Sequence, residues 1–188
     1  MEATSFVSCD DMAVSREQVK IVDADTAWFV QYAEAAQDLV QALAPWLIAI
    51  EHIGSTAVPG LAAKPIIDIQ IGVRSLNDSI DIVGAVESLG YEYVPEYEDE
   101  LPDRRYFRRS SGGRHTHHVH VVERSNTSWW DRHIAFRDWL RSHPEDRDRY
   151  AALKRLLAEE YGNDRRGYTE AKTAFVSEIE LKASRGPV

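Results

Sequence analysis

Sulfur is scarce in this sequence: one cysteine, Cys9, and two methionines. A single thiol cannot close an intrachain disulfide, and no cysteine-based zinc site can be built from it. Cations are also in short supply. Lys and Arg number 22 against 31 Asp and Glu, a formal charge of −9, whereas generic nucleic-acid binding runs on cation density. That class is excluded, but capture of one anion in a locally basic pocket is not. No apolar run reaches membrane-spanning length, so no membrane partner is expected. The opening "MEATSFVSCDDMAVSRE" lacks the basic start and long apolar stretch of a secretory signal. The expectation is a cytoplasmic protein.

What remains is a globular composition in 188 residues, long enough to bury one real core. Residues 1–20 are mostly polar and read as a loose extension, leaving 21–188 as a single domain. Asp25-Thr26 is a plausible N-cap before apolar residues at Phe29, Tyr32, Ala36, Leu39 and Leu43, which predict an amphipathic helix ending at Pro45. "WLIAIEHI" and "PIIDIQIGV" read as strands. In the second, Ile67, Ile69 and Ile71 share one face and Ile66, Asp68 and Gln70 the other.

Leu76, Ile80, Val83 and Val86 are spaced as a helix that Gly90 terminates. "YEYVPE" is a short edge segment, and "RRYFRRSSGGRHTHHVHVVE" a hairpin around Ser-Ser-Gly-Gly. The rest is helical. Asn126 to Ser128 caps one helix, whose Trp129, Trp130 and Trp139 read as packing residues. "SHPE", Ser142 to Glu145, reads as a capping box opening a second helix. A last helix runs from about Thr169 and buries Ala171, Phe175, Val176 and Ile179. The fold class is α+β, a mixed sheet flanked by helices with a helical C-terminal third.

The chemistry concentrates in "EHIGSTAVPGLAAKPIIDIQI". Gly54-Ser55-Thr56 follows a strand directly, and small residues with free amides at a helix start favour a phosphate. Lys64 stands just before the next strand, held extended by Pro65, and Asp68 lies within that strand. Asp68 can serve as a metal ligand, as a structural hydrogen-bond acceptor, or as the remnant of a larger site.

This stretch, with "RRYFRR", "THHVHVVE", "WWDRHIAFRDWLRSHPEDRDRYAALKRLLA" and "YTEAKTAFV" in the same order, resembles the GrpB family. That family includes extra domains on some bacterial dephospho-CoA kinases and is similar to the nucleotidyltransferase fold of the DNA polymerase β superfamily. The resemblance implies a nucleotidyltransferase-like sheet, with Gly54-Ser55 holding phosphate and Asp68 as the first carboxylate. His52, Tyr168 and Lys172 also match the family and are expected at the pocket. At the second carboxylate position stands Gln70. Two magnesium ions need several anionic oxygens, and a glutamine amide supplies one neutral oxygen.

"HTHHVHVVE" offers another donor set. Thr116, His118 and His120 share one strand face, and His118 and His120 can join Asp68 on a divalent metal (magnesium, manganese or zinc) if their strands are neighbours. Hairpin histidines, or one histidine bonded to Asp68, need no metal. Among the arginines flanking Tyr106-Phe107, Arg108 is the candidate phosphate contact, sharing a face with Arg104 and Tyr106.

Three functions follow. The first is transfer of a nucleoside monophosphate from a nucleoside triphosphate to an acceptor, with Lys64, Asp68, His118 and His120 as the catalytic set. The second is a non-catalytic helper binding a nucleotide, phosphorylated small molecule or protein. The third is a His/Asp transition-metal enzyme.

Overall fold

A computed structural model describes residues 18–185. Cys9 and most of the expected loose extension lie outside the described residues. The last part of that extension is packed: Val19 is buried against Leu157 and Tyr168, and its amide donates to the Gly162 carbonyl at 2.8 Å.

The expected α+β architecture is present. A five-stranded mixed sheet is formed by β1 (Leu47–Ile53), β2 (Ile67–Val73), β3 (Glu92–Tyr93), β4 (Arg104–Ser111) and β5 (Arg114–Glu123), in the order β1-β2-β5-β4-β3. β2 and β5 are parallel neighbours, and every other pair is antiparallel. Gly112 and Gly113 both take positive φ in the β4–β5 turn, where a side-chain-bearing residue would be strained.

The two faces of the sheet bury different chemistry. On one, Ile67, Ile69 and Ile71 pack with Phe107, Val119 and Val121 beneath α1 (Ala27–Ala42) and α2 (Ser79–Glu87). Each fully buried isoleucine contributes about 1.5–3 kcal/mol. On the other, β2 presents Asp68, Gln70 and Gly72 to α3 (Thr127–Ser142), α4 (Pro144–Glu160), α5 (Arg165–Ala171) and α6 (Thr173–Arg185), with a second apolar cluster around Leu140, Tyr150 and Ile179.

Several local expectations need correction. Leu76 lies in a short 3-10 turn preceding α2 and, like Val83, packs against the core beside the buried Ile82 and Val86, whereas Ile80 is 88% exposed. Ser142 ends α3 and returns its hydroxyl to the carbonyls of Asp138 and Trp139. No capping box forms there, although Pro144 does open α4. The single last helix is two, broken at Lys172.

Candidate functional site

The turn between β1 and β2 is built for close approach. Gly54 has φ 71°, and a Cβ there would collide with Asp68 Oδ2 and sit 3.0 Å from its Cγ. Gly54 is therefore what lets the turn close onto the Asp68 carboxylate. A single 3-10 turn, Ser55–Ala57, follows. At three residues it has almost no macrodipole, so any pull on an anion must come from side chains.

Helix α3 clamps this turn from outside. Arg137 donates to Glu51 at 2.7 Å and to the His52 carbonyl at 2.9 Å, while Arg141 donates twice to the Ala57 carbonyl at 3.0 and 2.9 Å. From the opposite face, His52 Nε2 lies 3.1 Å from Thr56 Oγ1, and its ring stacks on Tyr32 at 4.5 Å. Burial lowers the His52 pKa to about 4. The ring is therefore neutral at pH 7, a support for the turn and not a wall of the pocket.

A cavity of about 590 Å³ opens between this turn, the ends of β2 and β5, and helices α3 to α6. Gly54, Ser55, Thr56, Lys64, Asp68, His118, His120, Tyr168 and Lys172 all line it. His52, Gln70 and Arg108 do not. Arg108 shares the expected face, but it lies opposite Glu92 of the edge strand and grips that carboxylate with two bonds of 2.8 and 2.7 Å. Arg104, four residues earlier, lines the cavity in its place, its guanidinium 5.3 Å from the Trp129 ring and 5.1 Å from Tyr106.

Lys154 is the functional candidate that sequence reasoning missed. It is only 3% exposed, and Nζ donates to Ser55 Oγ at 2.9 Å, across 99 residues of sequence. Its Nζ lies 4.5 Å from the centre of the Tyr150 ring. Desolvation, then the positive charges of Lys172 and Lys64, hold its pKa well below the ordinary lysine range. The available signal was its place on the apolar stripe of α4, four residues after Tyr150 and three before Leu157.

Asp68 and His118 are directly paired. His118 Nδ1 lies 3.1 Å from Asp68 Oδ1, with the carboxylate accepting, and the Asp68 side chain stays 28% exposed to the cavity. The register of parallel β2 and β5 sets His118 opposite Asp68 and His120 opposite Gln70. His120 is committed elsewhere. Its Nδ1 lies 3.1 Å from Arg104 Nη1. A guanidinium can only donate, so this nitrogen accepts and the other carries the proton.

That tautomer leaves His120 no lone pair for an ion. Among the described residues no three His, Cys, Asp or Glu side chains are grouped to hold a metal. Gln70 supplies nothing to the cavity either: it is 0% exposed, and its amide donates to the Trp130 carbonyl at 3.3 Å. The Asp68/His118/His120 metal set and the paired-metal arrangement therefore do not fit the residues present.

A helix-covered mixed sheet, with a Gly-Ser turn closing onto an acidic strand and a cavity holding several cationic side chains behind it, places the protein in the α+β class. Within that class, the family model described as GrpB protein matches residues 18–182, and the chain belongs to the GrpB family. A UPF0157 protein of Pseudomonas aeruginosa is 40% identical over 178 residues, covering 92% of this chain and 72% of its own length. The crystal structure of conserved protein GrpB from Enterococcus faecalis is similar at a TM-score of 0.81 and 38% identity, over 88% of this chain and 98% of that one. A dephospho-CoA kinase of Mycolicibacterium paratuberculosis is 28% identical over 90% of this chain, which spans 47% of that protein. Among the described residues no helix is long and apolar enough to cross a membrane.

Proposed function

We propose that the cavity is a nucleotide site, holding the phosphates of a nucleoside triphosphate or similar phosphorylated small molecule. The observation that carries this reading is the convergence of Lys64 and Lys172 on one cavity beside Ser55 and Lys154, in a chain of net charge −9. Lysines bunched this closely repel one another, and an anion relieves that repulsion. Tyr150 and Tyr168 back the amines, while Trp129 and Arg104 offer flat surfaces to a base.

The test is thermal unfolding with each of ATP, CTP, GTP and UTP, with and without magnesium or manganese. A ligand at about 100 times its dissociation constant stabilises by about 2.7 kcal/mol. The expected result is an upward shift with at least one nucleotide, abolished in the double variant Lys64→Met, Lys172→Met. No shift with any of the four would sink the reading.

Transfer of the nucleoside monophosphate to an acceptor hydroxyl or amine is the second reading, and the Asp68–His118 pair favours it. A carboxylate steadied by an imidazole can receive the acceptor's proton as its oxygen or nitrogen bonds to the α-phosphorus and pyrophosphate leaves. Pyrophosphate release lost in Asp68→Asn is the matching assay. A helper role without chemistry is supported by the kinase relative, about half of which this chain spans.

A further inference from the structure

Ser55 stands at the start of the 3-10 turn, directly after the positive-φ Gly54. Its side chain is half-buried and lines the cavity, so a reactant can reach Oγ. Two groups of α4 hold that hydroxyl: Lys154 Nζ at 2.9 Å, and Tyr150, which is hydrogen-bonded to Ser55. Lys154 faces Lys64 from the segment before β2 and Lys172 from the α5–α6 junction, with Arg155 beside it on α4 and Asp68 as its attractive partner. Burial and these cations favour the neutral amine, and its nitrogen lies 2.9 Å from the Ser55 hydroxyl oxygen. Phosphate binding alone needs a charged lysine, and a deeply buried one is poorly placed to stay charged. A base needs the opposite.

We infer that Ser55 and Lys154 form a serine–lysine dyad, in which Ser55 Oγ is a nucleophile toward an activated phosphorus ester or anhydride and Lys154 is its general base. The substrate class rests on the reading of the cavity as a phosphate site; the dyad rests on the Ser55–Lys154 contact. With a nucleoside triphosphate, the Oγ–P bond forms at the α-phosphorus and the bond to the β-phosphate oxygen breaks. Pyrophosphate leaves, and the hydroxyl proton passes to Lys154 Nζ. The ammonium so formed lies beside the new phosphodiester and within the field of Asp68. An acceptor hydroxyl can then displace Ser55, its proton passing to the Asp68 carboxylate on the same cavity while Lys154 returns the proton held on Nζ to Oγ.

The experiment is intact-mass and peptide mass spectrometry of the full chain after incubation with a fluorophosphonate, and separately with each of the four nucleoside triphosphates. The expected result is a fluorophosphonate adduct on Ser55, absent in Ser55→Ala and formed at least about 100-fold more slowly in Lys154→Met. No adduct on Ser55, or equal rates in Lys154→Met, overturns the dyad. If Lys154→Met does not fold, the pH profile of the wild-type protein decides. A labelling rate that reaches its plateau below the ordinary lysine range supports the dyad. One that climbs about tenfold per pH unit up to about pH 10, as hydroxide-driven attack does, overturns it. Because the fluorophosphonate needs no nucleotide recognition, the two readings fail separately. A nucleotide thermal shift without Ser55 labelling removes the dyad alone; Ser55 labelling without any nucleotide shift removes the nucleotide reading alone.

Discussion

Asp68 and Gln70 project from the same face of β2, one pleat apart, and pair in register with His118 and His120 of β5. Asp68 opens onto the cavity, with Gly54 closed against one oxygen and His118 on the other. Gln70 is sealed. The Trp130 carbonyl takes its amide hydrogen, its own Oε1 has no hydrogen-bond partner, and a Cβ on neighbouring Gly72 would come within 2.8 Å of the Trp130 ring. One step along a pleated face thus separates a cavity-facing carboxylate from a packed floor. The cause is where α3 docks. β2 offers the cavity no second carboxylate, because the residue at this position is glutamine and the Trp130 carbonyl of helix α3 takes its amide hydrogen.

The substitution that breaks this contrast most severely is Gln70→Glu. The introduced carboxyl would be buried with only a carbonyl beside it, and an uncompensated buried charge costs about 3–5 kcal/mol. Its pKa would be raised, so the unfolded chain releases a proton that the folded chain keeps, and stability falls as pH rises above about 4.3. The expected outcome is a variant markedly weaker at about pH 8 than at about pH 5, with no gain in manganese-dependent stabilisation. Urea unfolding at both pH values checks it. A variant that is stable at the higher pH and newly stabilised by manganese would show that the floor is not sealed.

On the Asp68 side, Gly54→Ala tests how closely the turn must approach. The positive φ is strained for any side chain, and the new methyl group would strike the Asp68 carboxylate. A loss of about 2–4 kcal/mol is expected, together with loss of nucleotide stabilisation. For a chain of this size that corresponds to a fall in Tm of roughly 5–15 °C. Thermal melts with and without nucleotide would read both effects. A variant with wild-type Tm would mean that the turn can open away from Asp68 at little cost.

Much of this site could be read from local sequence, and the remainder depended on distant packing. The alternation in "PIIDIQIGV" correctly divides the isoleucines from Asp68 and Gln70, because a strand's period of two is fixed by its backbone. Lys154 was hidden because its partner Ser55 lies 99 residues away, and only the docking of α4 brings the two together. Arg104 and Arg108 cannot be told apart by strand face, since both lie on the same one. Their fates diverge because β3 brings Glu92 opposite Arg108. The sealing of Gln70 likewise follows from the seating of α3, which β2 alone does not encode.

The smallest effect lies on the opposite face, where His52 supports the turn without reaching the cavity. Burial lowers the pKa of His52 to about 4, and that of His117 likewise to about 4. An unfolded histidine takes up its proton near pH 6.5, whereas these two, while folded, resist doing so until about pH 4. The unfolded state therefore binds more protons across that window, and stability is lost as pH falls through it. His52→Phe keeps an aromatic ring against Tyr32 and removes one of the two protons. At pH 7 it should cost about 1 kcal/mol for the lost Thr56 bond. Below about pH 6 its stability should fall less steeply than that of the wild-type protein, by up to about 1.4 kcal/mol per pH unit. Urea unfolding across a pH series measures both slopes. Parallel slopes would mean that His52 is not the group taking up the proton, and that the turn's acid sensitivity arises from the cavity side.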